Sequence, residues 1–109
     1  MAKQREKVLV IVQLSGGNDY LNCIVPWEDP RYRDARIGVR ITEDEVIPLD
    51  NGLGLNPGMS AFKELYDQER VAIIHGIGYP TPSRSHFRSM DIWHTATPDR
   101  VGEQGWLGQ

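Results

Sequence analysis

An apolar stretch lies near the start of the chain, where residues 8–12 read Val-Leu-Val-Ile-Val. A β-branched run without polar alternation is typical of a strand that is covered on both faces, as in a parallel sheet. Residues 15–19 then read Ser-Gly-Gly-Asn-Asp, a turn signal whose glycines also permit close approach of the backbone to a ligand. We therefore predict a central strand of an α/β fold, followed directly by a polar turn.

Further strands are predicted along the chain. Residues 71–74 read Val-Ala-Ile-Ile and indicate a second buried strand. Residues 39–41 and 46–49 have the composition of two short strands, and Asn51-Gly52 after them is a turn signal. Only the stretches at 8–12 and 71–74 are expected to be central in the sheet.

Three helices are predicted from their start signals and their spacing. The first two begin with a cap residue followed by proline, at residues 29–30 and 56–57. The first helix is predicted to end near Arg36, and the third to cover residues 85–96. Apolar side chains at helical spacing predict a buried face on the second and third helices, formed by Phe62, Leu65 and Tyr66 and by Phe87, Met90 and Trp93.

The order strand, helix, helix, strand, helix predicts a parallel sheet with right-handed crossovers. Two central strands do not complete such a sheet, because each would keep an open edge and an uncovered face. Trp106 adds a large apolar side chain that needs a partner. We therefore predict that residues 1–109 are the N-terminal fragment of a single larger domain, marginally stable alone and prone to self-association.

The composition excludes several classes of protein. The 109 residues are 39% hydrophobic and 25% charged, and the net charge of -3 gives no electrostatic case for nucleic acid, which would call for a basic face. No apolar run approaches the roughly 20 residues of a membrane span. The first residues lack the apolar stretch of a secretory signal, which predicts a cytoplasmic location. The single cysteine, Cys23, forms no internal disulfide, and its apolar neighbours favour a buried thiol over a reactive nucleophile.

Asp19 is the first candidate site residue. It stands in the turn after the predicted first strand, and ligands of open α/β sheets bind outside the carboxyl ends of strands. A carboxylate there can hold a divalent metal. The residue types alone favour a turn in which Asn18 and Asp19 cap backbone amides.

The second candidate site is the Pro-Ser-Arg-Ser-His-Phe sequence at residues 82–87, at the start of the third helix. First-turn amides of a helix attract phosphate or sulfate, and an arginine such as Arg84 can bind two oxygens of the anion. A serine nucleophile would still need a base or a metal to activate it. The alternative is that Ser83 or Ser85 is an ordinary helix cap.

Three further polar residues carry weaker signals. Asp91 and His94 are three positions apart on the third helix, which fits either metal ligands or an exposed polar face. His75, at the end of a predicted strand, is expected to be a satisfied core histidine.

Five segments of the chain, in order, resemble the bacterial domain-of-unknown-function family 1501. They are residues 14–22 (LSGGNDYLN), 27–30 (WEDP), 54–57 (GLNP), 84–91 (RSHFRSMD) and 105–108 (GWLG). That family is grouped by fold with the alkaline phosphatases and sulfatases. The resemblance implies the N-terminal portion of an alkaline-phosphatase-like parallel sheet with flanking helices.

The resemblance also implies roles for particular residues. In the wider superfamily an aspartate after the first strand binds a metal, and a hydroxyl or modified cysteine at a helix N-terminus is the nucleophile. Asp19 matches the metal ligand, with zinc, manganese or calcium as the ion, and Ser85 matches the nucleophile, with Ser83 as second choice. Arg84 would orient the anion. The sulfatase pattern Cys/Ser-x-Pro-Ser-Arg is only echoed, because Pro80 stands at its nucleophile position.

Two functions are therefore open. The intact protein is expected to be a metal-dependent hydrolase of phosphate or sulfate esters, with the 109 residues alone inactive. The alternative is a non-catalytic module of the same fold that binds an anion or serves a structural purpose. Neither predicts a nucleic-acid or membrane partner.

Overall fold

The computed structural model describes residues 7–108. Residues 1–6 and Gln109 lie outside the described residues. The prediction that no targeting signal is present falls partly on residues 1–6. The described chain divides into two compact units, of which one is Asp19–Ile77 and the other consists of residues 7–18 and 78–108. No helix in the described part of the chain is long and apolar enough to cross a membrane.

The sheet differs from the predicted one, and the prediction of an alkaline-phosphatase-like parallel sheet is wrong. Three two-residue strands, β1 (Ile24–Val25), β2 (Ile47–Pro48) and β3 (Gly54–Leu55), form an antiparallel sheet in the order β1-β3-β2. Leu55 pairs with both Ile24 and Ile47, so β3 is the central strand. All three strands belong to the Asp19–Ile77 unit.

The two stretches expected as central strands are not paired. Residues 8–12 and 71–74 contain no strand, and the same holds for the short strand predicted at 39–41. A strand requires a hydrogen-bonded neighbour, and apolar composition specifies only that a segment favours burial. The prediction at 46–49 is confirmed by β2, and the predicted turn is present at Asn51 and Gly52, both with positive φ.

The three predicted helices are confirmed. The first, α1 (Pro30–Ala35), begins where Asp29 accepts a 2.9 Å hydrogen bond from the Arg31 amide. A 3₁₀ turn, Pro57–Met59, is capped by Asn56 and leads into α2 (Ser60–Asp67). The third, α3 (His86–Thr95), ends at Ala96 in the left-handed conformation.

The core of the Asp19–Ile77 unit is formed by loops and short elements as much as by helices. Val25, Tyr32 and Val46 are buried together, with Leu21, Trp27 and Ile41 packed against them. The Tyr32 hydroxyl accepts a 2.8 Å bond from the Ile41 amide, which satisfies the polar end of a buried ring. Gly54 has no room for a side chain, because a Cβ there would lie 2.3 Å from Val46 Cγ2.

The predicted buried faces of α2 and α3 are only partly present. Phe62 and Leu65 on α2 are exposed, and on α3 Phe87 is 90% exposed whereas Ile92 is buried. Trp93 is partly covered by Tyr79, whose ring meets it edge-on with centroids 6.0 Å apart. Helical spacing therefore identified the apolar side of each helix, but the described residues cover these sides only in part.

Candidate anion-binding site

Asp19 precedes a 3₁₀ turn, Tyr20–Asn22, and its carboxylate is bound by an arginine. Asp19 Oδ2 accepts a hydrogen bond from Arg36 Nη2, which also makes the pair a salt bridge. The Arg36 side chain is only 18% exposed, and its guanidinium lies 5.8 Å from the centroid of the Tyr32 ring. Arg36 is therefore held between an aromatic face and a carboxylate, and Asp19 is its counter-charge.

A metal ion at Oδ2 of Asp19 would compete with this guanidinium. Residues 7–108 contain no group of three or more histidine, cysteine, aspartate or glutamate side chains placed to hold a metal ion. Zinc and calcium sites draw on three or more protein ligands. In the described chain Asp19 is the partner of Arg36, and its role as a metal ligand stays a prediction.

Ser85 caps α3. Its Oγ accepts a 3.4 Å bond from the Arg88 amide, and its own amide donates to Ser83 Oγ at 3.1 Å. Ser89 Oγ in turn donates to the Ser83 carbonyl at 3.0 Å. The two serines thus fix the entry into the helix, which is the cap role foreseen as the alternative to nucleophilic attack.

Open polar groups remain at this helix end. The backbone amides of His86 and Phe87 have no hydrogen-bond partner in the described chain, as is usual in the first turn of a helix. Arg84 is exposed and its side chain makes no hydrogen bond or ion pair with residues 7–108. Two amides, the Ser85 hydroxyl and one guanidinium are therefore accessible to an anion within four consecutive residues.

The predicted site residues are divided between the two units. Asp19 belongs to the Asp19–Ile77 unit, whereas Ser83, Arg84 and Ser85 belong to the other. The shared site of Asp19 and Ser85 stays a prediction.

The weaker signals have different outcomes. Asp91 accepts a salt-bridging hydrogen bond from Arg88, so it is a partner of an arginine on its own helix. His75 is exposed, which makes the expectation of a core histidine wrong. Cys23 is half-buried.

Arg88 is a residue that sequence reasoning missed. Besides Asp91, its guanidinium donates to three carbonyls after the helix, at 3.3 Å to Thr97, 3.1 Å to Pro98 and 2.7 Å to Arg100. These hydrogen bonds hold the loop that follows α3 against the helix. The sequence does not indicate these bonds, because every residue has a backbone carbonyl and the residue type does not show which carbonyl accepts.

An apolar groove runs along α3 within the same unit and was also not foreseen. It has a volume of about 640 Å³, and His86, at the first turn of α3, is one of its lining residues. Gly17, with φ +85°, faces His86, whose Cε1 would lie 3.7 Å from a Cβ at that position. The remaining walls are largely apolar and include Ile11, Leu14, Met90, Trp93 and Trp106.

Comparison with known proteins gives no further assignment: no family model matches the chain, and neither a curated protein nor a solved structure matches it.

Proposed function

We propose that the chain binds the phosphate or sulfate group of an ester at the N-terminus of α3. The observation that supports this is the set of open donors at residues 84–87. These are the unpaired amides of His86 and Phe87, with the exposed guanidinium of Arg84 beside them.

The physical basis is the charge of the helix end. Aligned peptide dipoles place roughly half a positive charge at the N-terminus of a helix, and its first amides point outward toward an anion. Arg84 adds a full positive charge and a planar pair of donors that matches two oxygens of phosphate or sulfate. The anion would sit over the first turn, where the Ser85 hydroxyl is a further donor.

Titration calorimetry with inorganic phosphate and with sulfate tests this proposal. Arg84→Gln removes the charge without removing the cap, and we expect it to weaken binding several-fold. Arg70→Gln is a matched control, since Arg70 is exposed, makes no side-chain hydrogen bond in the described chain and lies in the other unit. Equal affinities of the wild type and Arg84→Gln would contradict the proposal.

A second function, ester hydrolysis by the intact protein, is favoured by the position of one hydroxyl. Ser85 Oγ lies at the helix end where the anion is proposed to bind, and the family resemblance assigns attack to Ser85 and orientation to Arg84. A divalent metal, which the resemblance expects at Asp19, would supply activation of the hydroxyl and neutralisation of developing charge. That ligand role of Asp19 remains a proposal for the intact protein.

Hydrolysis is tested with aryl phosphates and aryl sulfates on the full-length protein, with zinc, manganese or calcium added. Ser85→Ala is expected to abolish turnover, while Ser83→Ala retains most of it. Equal turnover by wild type and Ser85→Ala would remove Ser85 from the mechanism. Anion binding without turnover under any of these metals would support the non-catalytic module.

Family membership and a cytoplasmic location are part of the same proposal. The five segments that resemble family 1501 support the first. Fractionation of the native host, with the protein found outside the cytoplasm, would contradict the second.

A further inference from the structure

The apolar groove along α3 begins at the helix end where the anion is proposed to bind. The helix contributes one lining face that extends from its first turn to its last, formed by His86, Ser89, Met90, Trp93 and His94. The rise of an α-helix places His94 about 12 Å from His86 along the axis. The His86 amide is one of the open donors and the His86 side chain lines the groove, so the donors and the groove meet at this residue.

The far end of the groove lies at the last turn of α3. Gly105 lies against this turn, since a Cβ there would be 3.4 Å from the carbonyl oxygen of His94. The next two residues, Trp106 and Leu107, line the groove and are 48% and 58% exposed. Their apolar surfaces are therefore accessible to a ligand, and the groove leads from the open donors at His86 to large apolar side chains.

The distribution of charge suits a ligand that is anionic at one end and apolar at the other. No aspartate, glutamate, lysine or arginine is among the residues that line the groove in the described chain, so no carboxylate there repels an anion and no permanent charge opposes an apolar chain. The helix dipole makes the N-terminus of α3 positive and its C-terminus negative, and Arg84 adds a full positive charge two positions before His86. The anionic end of a bound ligand would therefore lie at His86, with its apolar end directed toward the last turn.

We propose that the ester bound at α3 has a linear alkyl chain, which lies in the groove between His86 and Trp106. This mode of binding rests on the proposed anion site and adds to it the class of the organic group, which makes the ligand an alkyl phosphate or alkyl sulfate. The groove volume of about 640 Å³ falls within the range of ligand pockets, roughly 300–1,000 Å³. Two helical turns exceed the width of one aromatic ring, so an extended chain buries more apolar surface there than an aryl group does. Ile11, Leu14 and the adaptable Met90 supply aliphatic walls for such a chain.

Titration calorimetry with a chain-length series tests this proposal separately from the anion site. Inorganic phosphate and ethyl, butyl, hexyl and octyl phosphate share the anionic group, so an anion site alone predicts no gain along the series. We expect the affinity to rise about two- to four-fold for each added methylene, since an open groove buries each one only in part. Phosphate binding without such a gain would overturn the alkyl-chain proposal and leave the anion site standing.

Octyltrimethylammonium is the control for charge, because it has the same chain as octyl phosphate and the opposite charge. It is expected to bind several-fold more weakly, since its cation would lie at the positive end of the helix. Equal affinities of the two compounds would show that the chain binds without the anion site, which would contradict the proposed function and the alkyl-chain proposal together.

Substitutions in the groove show whether the chain lies along α3. Leu14→Ser and Leu107→Ser each remove an exposed apolar side chain from the lining, and we expect them to weaken octyl phosphate binding several-fold while the affinity for ethyl phosphate stays the same. Val101→Ser is the matched control, since Val101 is 78% exposed in the same unit and does not line this groove. Circular dichroism checks that each variant keeps the wild-type helix content. Octyl phosphate affinities that are unchanged in both leucine variants, or reduced equally in Val101→Ser, would overturn the proposal.

Discussion

Asp19 and Arg36, 17 positions apart in the chain, are joined by a salt bridge between Oδ2 of the carboxylate and Nη2 of the guanidinium. Arg36 follows α1 directly, and Asp19 precedes the first 3₁₀ turn, so the pair ties two connecting segments of the Asp19–Ile77 unit together. The aspartate that was predicted to bind a metal therefore has a structural partner.

Removing this arginine is expected to destabilise the Asp19–Ile77 unit. We expect Arg36→Ala to lower the free energy of unfolding by about 1–2 kcal/mol, since it removes a charge-assisted bond and the packing of a largely buried side chain on Tyr32. Because Asp19 is half-exposed, water screens the salt bridge, and the loss of stability is expected near the lower end of this range. Urea denaturation measures it. Arg70→Ala, an exposed residue of the same unit, should change the value by less than about 0.5 kcal/mol, and an equal loss in both variants would contradict the account.

Substitutions at Ser85 separate capping from anion binding. Ser85→Ala is expected to cost about 1 kcal/mol through loss of the N-cap bond to the Arg88 amide. Ser85→Asp should retain stability, because aspartate is an equally good N-cap, but it should repel phosphate and sulfate. Thermal melts and calorimetry on the same two variants give both readouts. Anion affinity that survives in Ser85→Asp would argue against binding at this helix end.

The contacts of Arg88 predict that even its replacement by lysine lowers the free energy of unfolding. Arg88→Lys keeps the charge but loses the planar fork that reaches Asp91 and three carbonyls, so we expect a loss of about 1–3 kcal/mol. Arg84→Lys is the matched control and should leave stability unchanged, since the Arg84 side chain has no partner in the described chain. Chemical denaturation distinguishes them. Equal stability of the Arg88→Lys variant and the wild type would show that these bonds contribute nothing.

The cap of α1 predicts a dependence on pH. The hydrogen bonds from the Arg31 side chain, and then from its amide, lower the pKa of Asp29 below its ordinary value of 3.8. A lowered pKa in the folded state gives stabilisation that is present above the ordinary value and is lost as the pH falls through the folded one. Melting temperatures should therefore fall below about pH 4, and Asp29→Asn should show a shallower fall. An identical acid dependence in both proteins would contradict this role of Asp29.

Local signals in the sequence predicted the helices well. The beginning of α1 at Asp29-Pro30, of the turn before α2 at Asn56-Pro57 and of α3 at Ser85 is set by contacts within three residues, so the sequence alone contains the information. The sheet was not predictable in the same way. Strand pairing depends on segments that are distant in the chain. Leu55 pairs with Ile24, which lies 31 positions earlier.

The local structure around the candidate site residues was predicted only in part. The cap at Ser85 follows from a helix start signal and is present in the structure, whereas the roles of Ser85 and Arg84 toward an anion stay predictions. The pairing of Asp19 with Arg36 was not predicted, because no sequence pattern indicates which arginine lies next to a given aspartate. The groove beside His86 was also missed, since it depends on how residues 11–17 lie against α3 within their unit.

The most direct test of the proposed function is an NMR titration of the ¹⁵N-labelled chain with inorganic phosphate, sulfate and 4-nitrophenyl phosphate. We predict saturable chemical-shift changes at the amides of His86 and Phe87, which are unpaired in the described chain, and loss of these changes in Ser85→Asp. Shifts that are absent from His86 and Phe87, that do not saturate, or that persist unchanged in Ser85→Asp would contradict anion binding at the N-terminus of α3.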